Sequence, residues 1–346
     1  MFQRRCTLFL LLLFGAFCNA IQSQTLGGNA VFSFLRQPMG ARTWALGGTN
    51  ISSLSNDVSL AFQQPALLRT SQQAQISTSV QSFVAGIRNY SLMAAALVPR
   101  SNWMSAIGVN YFNYGSITQT DAAGNTLGQI TPADFVVQGM LSRTYNEKFN
   151  LGITLKFIHS NYGPYRSSGV AADIGVAYRD SANGWQASVL VKNMGAQLNA
   201  YSAGGVKEEL PFDIQAGISK RLANAPFQFS LTAAGLQTWN TVYNDTSFRA
   251  GEGEINYTGI SFLNKLVNRL TFGVQVYPHE KLELMAGYNF QRRSELNVFN
   301  QVSGLNGFTL GTALLLKKMH LHYATGFYQR NLFHQLTINF NWNGNL

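Results

Sequence analysis

Residues 270–277 read Leu-Thr-Phe-Gly-Val-Gln-Val-Tyr, a stretch in which large apolar residues alternate with polar or small ones. A period of two residues is typical of a β-strand that has a different environment on each face. The same alternation recurs from residue 74 to the end of the chain, in segments of about ten residues. One apolar and one polar face fit either a half-solvated β-sandwich or a membrane barrel whose lumen takes the polar side.

The connections between these segments distinguish the two folds, because short and long connections alternate along the chain, except near Arg88 and Arg330. Outer-membrane barrels have short periplasmic turns and longer outer loops in succession, whereas sandwiches follow no such rule. A closed barrel also pairs every backbone N–H and C=O group in lipid. The sequence therefore predicts an all-β fold, a transmembrane antiparallel β-barrel of about fourteen strands. The predicted strands are residues 74–84, 89–98, 103–113, 135–143, 149–159, 170–179, 185–193, 212–220, 227–237, 268–277, 282–290, 305–316, 320–328 and 333–342.

The composition agrees with a membrane protein that spans the bilayer with strands. Charged residues make up 12% of the 346 residues, about half of the ~25% that is usual in globular proteins. Beyond the amino terminus, no stretch approaches the ~18 uncharged apolar residues of a spanning helix, which excludes a helical membrane bundle. Four tryptophans suit the aromatic girdle of a barrel. These are Trp103, Trp185, Trp239 and Trp342.

The amino terminus predicts export. A basic pair at residues 4–5 precedes an apolar run at 8–18, which is the pattern of a cleaved signal peptide over residues 1–20. Both cysteines of the chain, Cys6 and Cys18, lie in this segment. The mature protein is therefore expected to contain no disulfide, no thiolate metal site and no cysteine nucleophile.

The formal net charge of +10 bears on the partners. An exported chain seldom meets nucleic acid, so we expect no nucleic-acid partner. Anionic outer-membrane lipid and lipopolysaccharide are better candidates, because Lys and Arg near a membrane surface are attracted to phosphates. Solvated charges without a partner are the alternative interpretation.

The segment 21–73 lacks sustained alternation and is predicted to form a hatch in the lumen of a barrel spanning 74–346. A lumen enclosed by fourteen strands is too wide for strand side chains alone to fill. Residues 41–46 favour a helix that ends at Gly47. A disordered export linker is the alternative, but the segment is rich in large apolar residues, which disfavours disorder.

Several strings in this chain carry a resemblance. They include Ala45-Leu46-Gly47-Gly48, Asn56-Asp57 and Pro65-Ala66-Leu67-Leu68 within 32–68, and Pro211-Phe212-Asp213-Ile214-Gln215 further on. The first region is similar to the amino-terminal hatch of FadL-like barrels, and the whole set most closely resembles the PorQ family of the type IX secretion system. Most of the mature chain is covered, although Gln64 stands where that family commonly has Asn.

The resemblance implies a location, a role and partners. Proteins of this family are non-catalytic outer-membrane components of the attachment complex in Gram-negative bacteria. They anchor a PorZ-like surface protein and work beside a PorU-like sortase and a PorV-like barrel, while the complex joins cargo to anionic lipopolysaccharide. The alternative, implied by the wider FadL-like group, is an outer-membrane transporter of hydrophobic small molecules.

The sequence predicts no enzyme, no cofactor and no metal site. It contains no Ser-x-x-Lys, Lys-Thr-Gly or Gly-x-Ser-x-Gly string. His320 and His322 share one face of a predicted strand, but no third metal ligand is evident, so lumen or interfacial histidines are the better interpretation.

Two groups of residues are candidates for function. Arg42 and Asp57 are ionisable residues in the hatch, and charges inside a barrel tend to pair. With Asn56 and Pro65 they are predicted to pin the hatch or to form part of a gate, and both interpretations stay open. The second group belongs to the outer loops 114–134, 194–211, 238–267 and 291–304, which are expected to face a partner. It comprises Lys207, Glu208, Asp245, Arg249, Arg292 and Arg293.

Overall fold

The computed structural model describes residues 30–238, 266–296, 304–329 and 331–342. The predicted signal peptide, Trp239 and most of the predicted loop 238–267 lie outside these residues.

Fourteen of the strands in the described residues form one closed barrel in which every neighbouring pair is antiparallel, so the predicted fold class is confirmed. The first and last strands close the barrel, with Gln75 opposite Asn341. Two further strands, β4 and β5, form a separate hairpin. The strands are β1 (Gln75–Ser82), β2 (Arg88–Leu97), β3 (Trp103–Asn113), β4 (Ile117–Thr120), β5 (Thr126–Ile130), β6 (Ala133–Tyr145), β7 (Phe149–Tyr162), β8 (Tyr165–Asp180), β9 (Trp185–Asn199), β10 (Asp213–Arg221), β11 (Phe227–Ala233), β12 (Leu270–His279), β13 (Leu282–Asn289), β14 (Phe308–Leu315), β15 (Met319–Tyr328) and β16 (Asn331–Asn341).

The alternation in sequence becomes an apolar outer surface and a buried inner one. In β7, Leu151 and Leu155 are exposed on the outside, whereas Thr154 and Lys156 are buried in the lumen. A soluble protein rarely exposes so many large apolar side chains, but a barrel does so over the height of the lipid. Closure of the sheet excludes the sandwich interpretation.

The helices are short and mostly belong to the hatch. Helix α1 spans Ala41–Ala45, and helix α2 spans Phe290–Glu295 after β13. Among the described residues, no helix is both long and apolar enough to cross a bilayer. Single 3₁₀ turns cover Ser33–Arg36, Val58–Phe62, Pro65–Leu67, Thr70–Gln72 and Val84–Gly86.

Three of the connections between the predicted strands differ clearly from the structure. The loop 114–134 contains the hairpin β4–β5, because its threonines and isoleucines favour strands. The loop 160–169 shrinks to a tight turn, since Gly163 adopts a left-handed φ of 71° and lets β7 run directly into β8. The loop 291–304 begins with α2, because the Asn289 side chain accepts a hydrogen bond from the Arg292 backbone and caps the helix.

Both ends of the barrel chain reach the same rim, which also carries the short turns and is therefore the periplasmic one. Three tryptophans lie at this rim, at the start of β3, at the start of β9 and after β16, and all are exposed. Cations cover two of them, with Arg143 5.6 Å from the Trp103 ring and Lys220 4.5 Å from the Trp185 ring. Exposed tryptophans with adjacent cations are typical of the membrane–water interface.

The described part of the hatch, residues 30–73, lies inside the barrel. Trp44 and Leu67 are at most 1% exposed. The hatch backbone approaches the wall so closely that a Cβ atom on Gly152 would collide with the backbone of Pro65 and Ala66. The short segment is thus tightly packed against its barrel, as the fold prediction requires.

Candidate functional site

One buried ion cluster joins the hatch to the wall. Arg42 of α1 donates two parallel hydrogen bonds to Glu283 of β13, from Nη1 to Oε1 at 2.6 Å and from Nη2 to Oε2 at 2.5 Å. Paired bonds of this kind are stronger and more directional than single ones. We call Arg42, Asp57, Glu283 and His322 the hatch latch.

Asp57 is the second anion of the latch. Its Oδ1 accepts hydrogen bonds from the Ser59 backbone N–H at 2.9 Å and from Asn339 Nδ2 of β16 at 2.7 Å. Its Oδ2 lies 3.6 Å from Arg42 Nε and 3.8 Å from His322 Nε2 of β15. Asp57 therefore caps the 3₁₀ turn that follows it and also bridges the hatch to two late strands.

The two hatch charges stabilise each other. Burial alone lowers the pKa of the Arg42 guanidinium, but the carboxylates of Glu283 and Asp57 raise it above its usual range. Burial alone raises the pKa of the Asp57 carboxyl, but the fields of His322 and Arg42 lower it below its usual range. Both groups stay ionised at neutral pH, because each is held by opposite charge.

The wall also supplies the caps of α1, which has none of its own. The backbone N–H of Ala41 donates to Thr337 Oγ1 at 2.9 Å, and Gly40 at the N-cap has no side chain that could accept a hydrogen bond from the first turn. At the other end, Thr309 Oγ1 donates to the Ala45 carbonyl at 2.9 Å. A five-residue helix is unstable by itself, so the barrel determines where α1 forms. We call the inner face of β13–β16 the latch sector.

Another part of the wall, formed by the inner faces of β2, β3, β6 and β7, carries an apolar cluster among its polar side chains. Buried Met93, Met140 and Ile158 on these strands belong to one cluster with Phe62 of the hatch. Pro65 lies on this side, packed against β7 at Gly152. We call this face the apolar sector.

A second buried ion group lies on β7, β8 and β9. Lys156 Nζ is 2.6 Å from Asp173 Oδ2 and donates to Asn193 Oδ1 at 2.8 Å. Lys192 Nζ donates to Gln63 Oε1 of the hatch at 2.9 Å. The group sits at a break in the strand register between β8 and β9, where the side chains satisfy groups that the ladder leaves unpaired.

The four residues predicted as hatch pins are not all neighbours. Arg42 and Asp57 meet in the latch. Asn56 lies beside them and accepts from Gln75 Nε2 of β1 at 3.2 Å. Pro65 is remote from the latch, on the apolar sector.

The sequence reasoning missed the wall partners of the latch. Glu283 is a single acidic residue between Leu282 and Leu284, at the inward position of a strand. A charge at an inward position of an otherwise apolar strand is the signal that points to such a partner. The pairing itself spans 241 residues of sequence, which no local pattern reveals.

The residues predicted to face a partner occupy different environments. Lys207 and Glu208 are exposed between β9 and β10. Arg292 turns inward from α2, with its guanidinium 4.9 Å from the Trp44 ring. Arg293 donates to the Gly304 carbonyl at 2.8 Å. The two remaining candidates, Asp245 and Arg249, lie outside the described residues.

The histidines of β15 face the lumen. His322 is fully buried and His320 is 8% exposed. Within the described residues, no group of three or more His, Cys, Asp or Glu side chains is arranged to hold a metal ion.

Comparison with known proteins finds likeness in structure only. No protein-family model and no curated protein matches the chain. A deltaS2 mutant of the TodX monoaromatic hydrocarbon channel resembles it with a TM-score of 0.52 at 11% identity, over 88% of this chain and 97% of that one. A FadL homologue from Pseudomonas aeruginosa has a TM-score of 0.49 at 10% identity, over 88% and 98%. A KdgM porin has a TM-score of 0.35 at 5% identity, over 78% and 99%.

At such low identity the TodX likeness concerns the fold. The chain shares with the TodX channel the fold of a closed β-barrel, and its own hatch lies in the lumen. This barrel fold matches that of outer-membrane proteins of Gram-negative bacteria. The neighbours named above are channels and porins.

Proposed function

We propose that this chain is a PorQ-like, non-catalytic component of the type IX secretion system, which anchors a PorZ-like surface protein to the outer membrane. It works beside a PorU-like sortase and a PorV-like barrel and supports the attachment of cargo to anionic lipopolysaccharide. The observation that carries the proposal is the hatch, which is bound to the wall by the latch on one side and by apolar packing on the other. Because the hatch fills the lumen, a partner protein would bind at the extracellular end of the barrel and not inside it.

The hairpin β4–β5 is the part of the outer surface best suited to hold a protein. It pairs only with itself among the described strands, and Ile117 and Leu127 are 47% and 61% exposed. A two-stranded hairpin is marginally stable in water, and its open edges accept a further strand. A protein partner that covers these side chains and one edge stabilises the hairpin.

The anchoring role is tested by copurification from native outer membranes in mild detergent. We expect the PorZ-like and PorU-like proteins to copurify with the wild-type chain and to be lost with Leu127→Glu. Thr126→Glu introduces the same charge at the adjacent exposed residue, on the other face of β5, and should retain them. Recovery of the barrel alone from wild-type membranes contradicts the anchoring role.

A second candidate is a FadL-like transporter of hydrophobic small molecules. The observation that favours it is the likeness to a monoaromatic hydrocarbon channel, and the comparisons lie closer to this candidate than to the first. Uptake of a labelled monoaromatic hydrocarbon and of a labelled fatty acid by a deletion strain tests it. Lost uptake with normal cargo attachment supports the transporter, whereas normal uptake with lost attachment supports the anchor.

A further inference from the structure

A cavity of about 260 Å³ opens at the periplasmic rim, between the end of the hatch and the turn that joins β6 to β7. Arg69 and the hydroxyl-bearing Thr70 and Ser71 line it from the hatch. From the wall it is lined by Lys148 and by Arg179 at the end of β8. The volume is several times the roughly 30 Å³ of one water molecule. We call this space the basic cavity.

The charges of the basic cavity are not balanced. Three cations line it, and Glu147 is the single carboxylate among its lining residues. Among the described residues, none of the three cations forms an ion pair within 4.0 Å; the four such contacts lie in the latch and around Lys156. Glu147 is exposed on the turn, as are Lys148 and Arg179. The lining residues therefore carry an excess of positive charge, while Asp180, outside the lining, is close enough to Lys148 to feel its charge.

Arg69 has a hydrogen-bond donor that no protein group accepts from. Its Nη2 donates to the Ser55 carbonyl at 3.3 Å, while its buried Nε has no hydrogen-bond partner. Burial, together with the charge of Arg179, lowers the pKa of Arg69 to about 10. A buried donor without a partner is unfavourable, and so are two guanidinium groups that repel each other. An anion between them removes both costs.

We propose that the basic cavity binds a phosphate group. Two guanidinium groups and an ammonium group suit a doubly charged tetrahedral anion, which accepts more hydrogen bonds than a planar carboxylate. The hydroxyls of Thr70 and Ser71 add neutral donors to the lining, while that of Thr144 already donates to Asn150 Oδ1 at 3.2 Å. The phosphate comes either from the headgroup of an inner-leaflet phospholipid or from a free phosphate ion.

The position of the cavity brings it close to such headgroups. It opens at the rim that also carries Trp103 and Trp185, and tryptophans of this kind mark the headgroup level of a membrane. This rim is opposite to the hairpin β4–β5, so phosphate binding here is independent of the proposed anchoring of a surface protein.

The test uses the full chain in detergent and inorganic phosphate as the probe, with binding measured by calorimetry at neutral pH and low salt. We expect saturable binding that weakens at least tenfold in Arg179→Gln. Arg143→Gln is the matched control, because Arg143 is an exposed arginine at the same rim on the lipid side of the wall. Its affinity should equal that of the wild type, and Arg69→Gln should weaken binding like Arg179→Gln.

Two outcomes of the calorimetry with the variants and with acetate overturn the proposal. One is equal loss of affinity in Arg179→Gln and Arg143→Gln, which indicates a diffuse charge effect. The other is binding of acetate as tight as that of phosphate, which removes the preference for a tetrahedral anion. Circular dichroism and the shift in gel mobility on heating verify that each variant has formed the barrel.

Native mass spectrometry of protein extracted in mild detergent distinguishes the two sources. A phospholipid retained by the wild type and by Arg143→Gln, but lost from Arg179→Gln, identifies a lipid headgroup as the ligand. Binding of inorganic phosphate without any retained phospholipid identifies the free ion. Absence of both phosphate and phospholipid binding overturns the proposal.

Discussion

The latch sector and the apolar sector bind the same hatch by different interactions, a buried ion pair in the first and apolar packing in the second. In the latch sector, Arg42 has one matched partner, Glu283, at hydrogen-bond distance. In the apolar sector, Phe62 packs among flexible methionines such as Met93 and Met140. Apolar packing tolerates small shifts, whereas a buried ion pair is favourable in one geometry only. The difference indicates that apolar contacts supply much of the stability and that the latch fixes the position.

The tests on the latch residues Glu283 and Asp57 share one readout, the reactivity of a cysteine inside the hatch, whereas the tests on the apolar sector measure unfolding. Both natural cysteines lie within the predicted signal peptide, so Thr43→Cys adds a unique thiol at a site that is 1% exposed. Slow labelling by a maleimide reports a seated hatch, and fast labelling reports a released one.

The largest effect is expected in the latch sector. Glu283→Gln leaves the buried Arg42 without its paired carboxylate, and loss of one partner of a buried ion pair costs about 3 to 5 kcal/mol. The hatch should become labelled rapidly in this variant. Glu280→Gln removes a carboxylate from the neighbouring exposed turn and should label like the wild type. Slow labelling of both variants contradicts a positioning role of the latch.

The next largest effect is expected in the apolar sector. Met93→Ala opens a cavity beside the hatch and costs about 2 to 5 kcal/mol. The lower part of this range applies, because the neighbouring methionines are flexible enough to fill part of the space. The free energy of unfolding in urea measures it. Leu92→Ala, on the lipid side of β2, is the control, and an equal loss there contradicts the proposed packing role.

A smaller effect is expected where the backbone of the hatch contacts the backbone of β7. Gly152→Ala places a Cβ atom against Pro65 and Ala66, and overpacking of this kind costs about 1 to 3 kcal/mol. Gly139→Ala is the control, because a Cβ atom there meets nothing within 4 Å. Thermal unfolding should begin at a lower temperature in the first variant only. Equal unfolding temperatures for the two variants indicate that the hatch moves away from the added Cβ atom without a loss of stability.

The smallest effect is a dependence on acid. Because the pKa of Asp57 is lowered in the folded protein, its ionised form stabilises the hatch at every pH above the ordinary carboxyl pKa of about 3.9. This stabilisation is lost as the pH falls through the folded-state value. The charged or titratable groups that act on Asp57 are Arg42 on α1 and His320 and His322 on β15, and Glu283 on β13 pairs with Arg42.

Labelling of the Thr43→Cys reporter should therefore accelerate only below about pH 4. Asp57→Asn should label faster at neutral pH and show a shallower acid dependence. The same acid profile with and without Asp57 assigns the acid response to another group.

The sequence predicted most of the barrel and only part of the site. Strands such as β7 and β12 can be recognised from a local period of two residues, which requires no knowledge of the rest of the chain. The partners of Arg42 were not predictable, because Glu283 is 241 residues away and reaches it only when the barrel closes. The helix α2 was missed because its cap, Asn289, belongs to the preceding strand.

The closure between β1 and β16 sets an order of events during biogenesis. The hatch is synthesised first, yet the strands that receive α1 and Asp57 are among the last to be made. The hatch therefore cannot be buried until the carboxyl-terminal strands have joined the barrel. A chain truncated before β16 cannot form the β1–β16 pairing and lacks part of the wall that binds the hatch. The amino-terminal segment of such a product therefore stays accessible to periplasmic proteases.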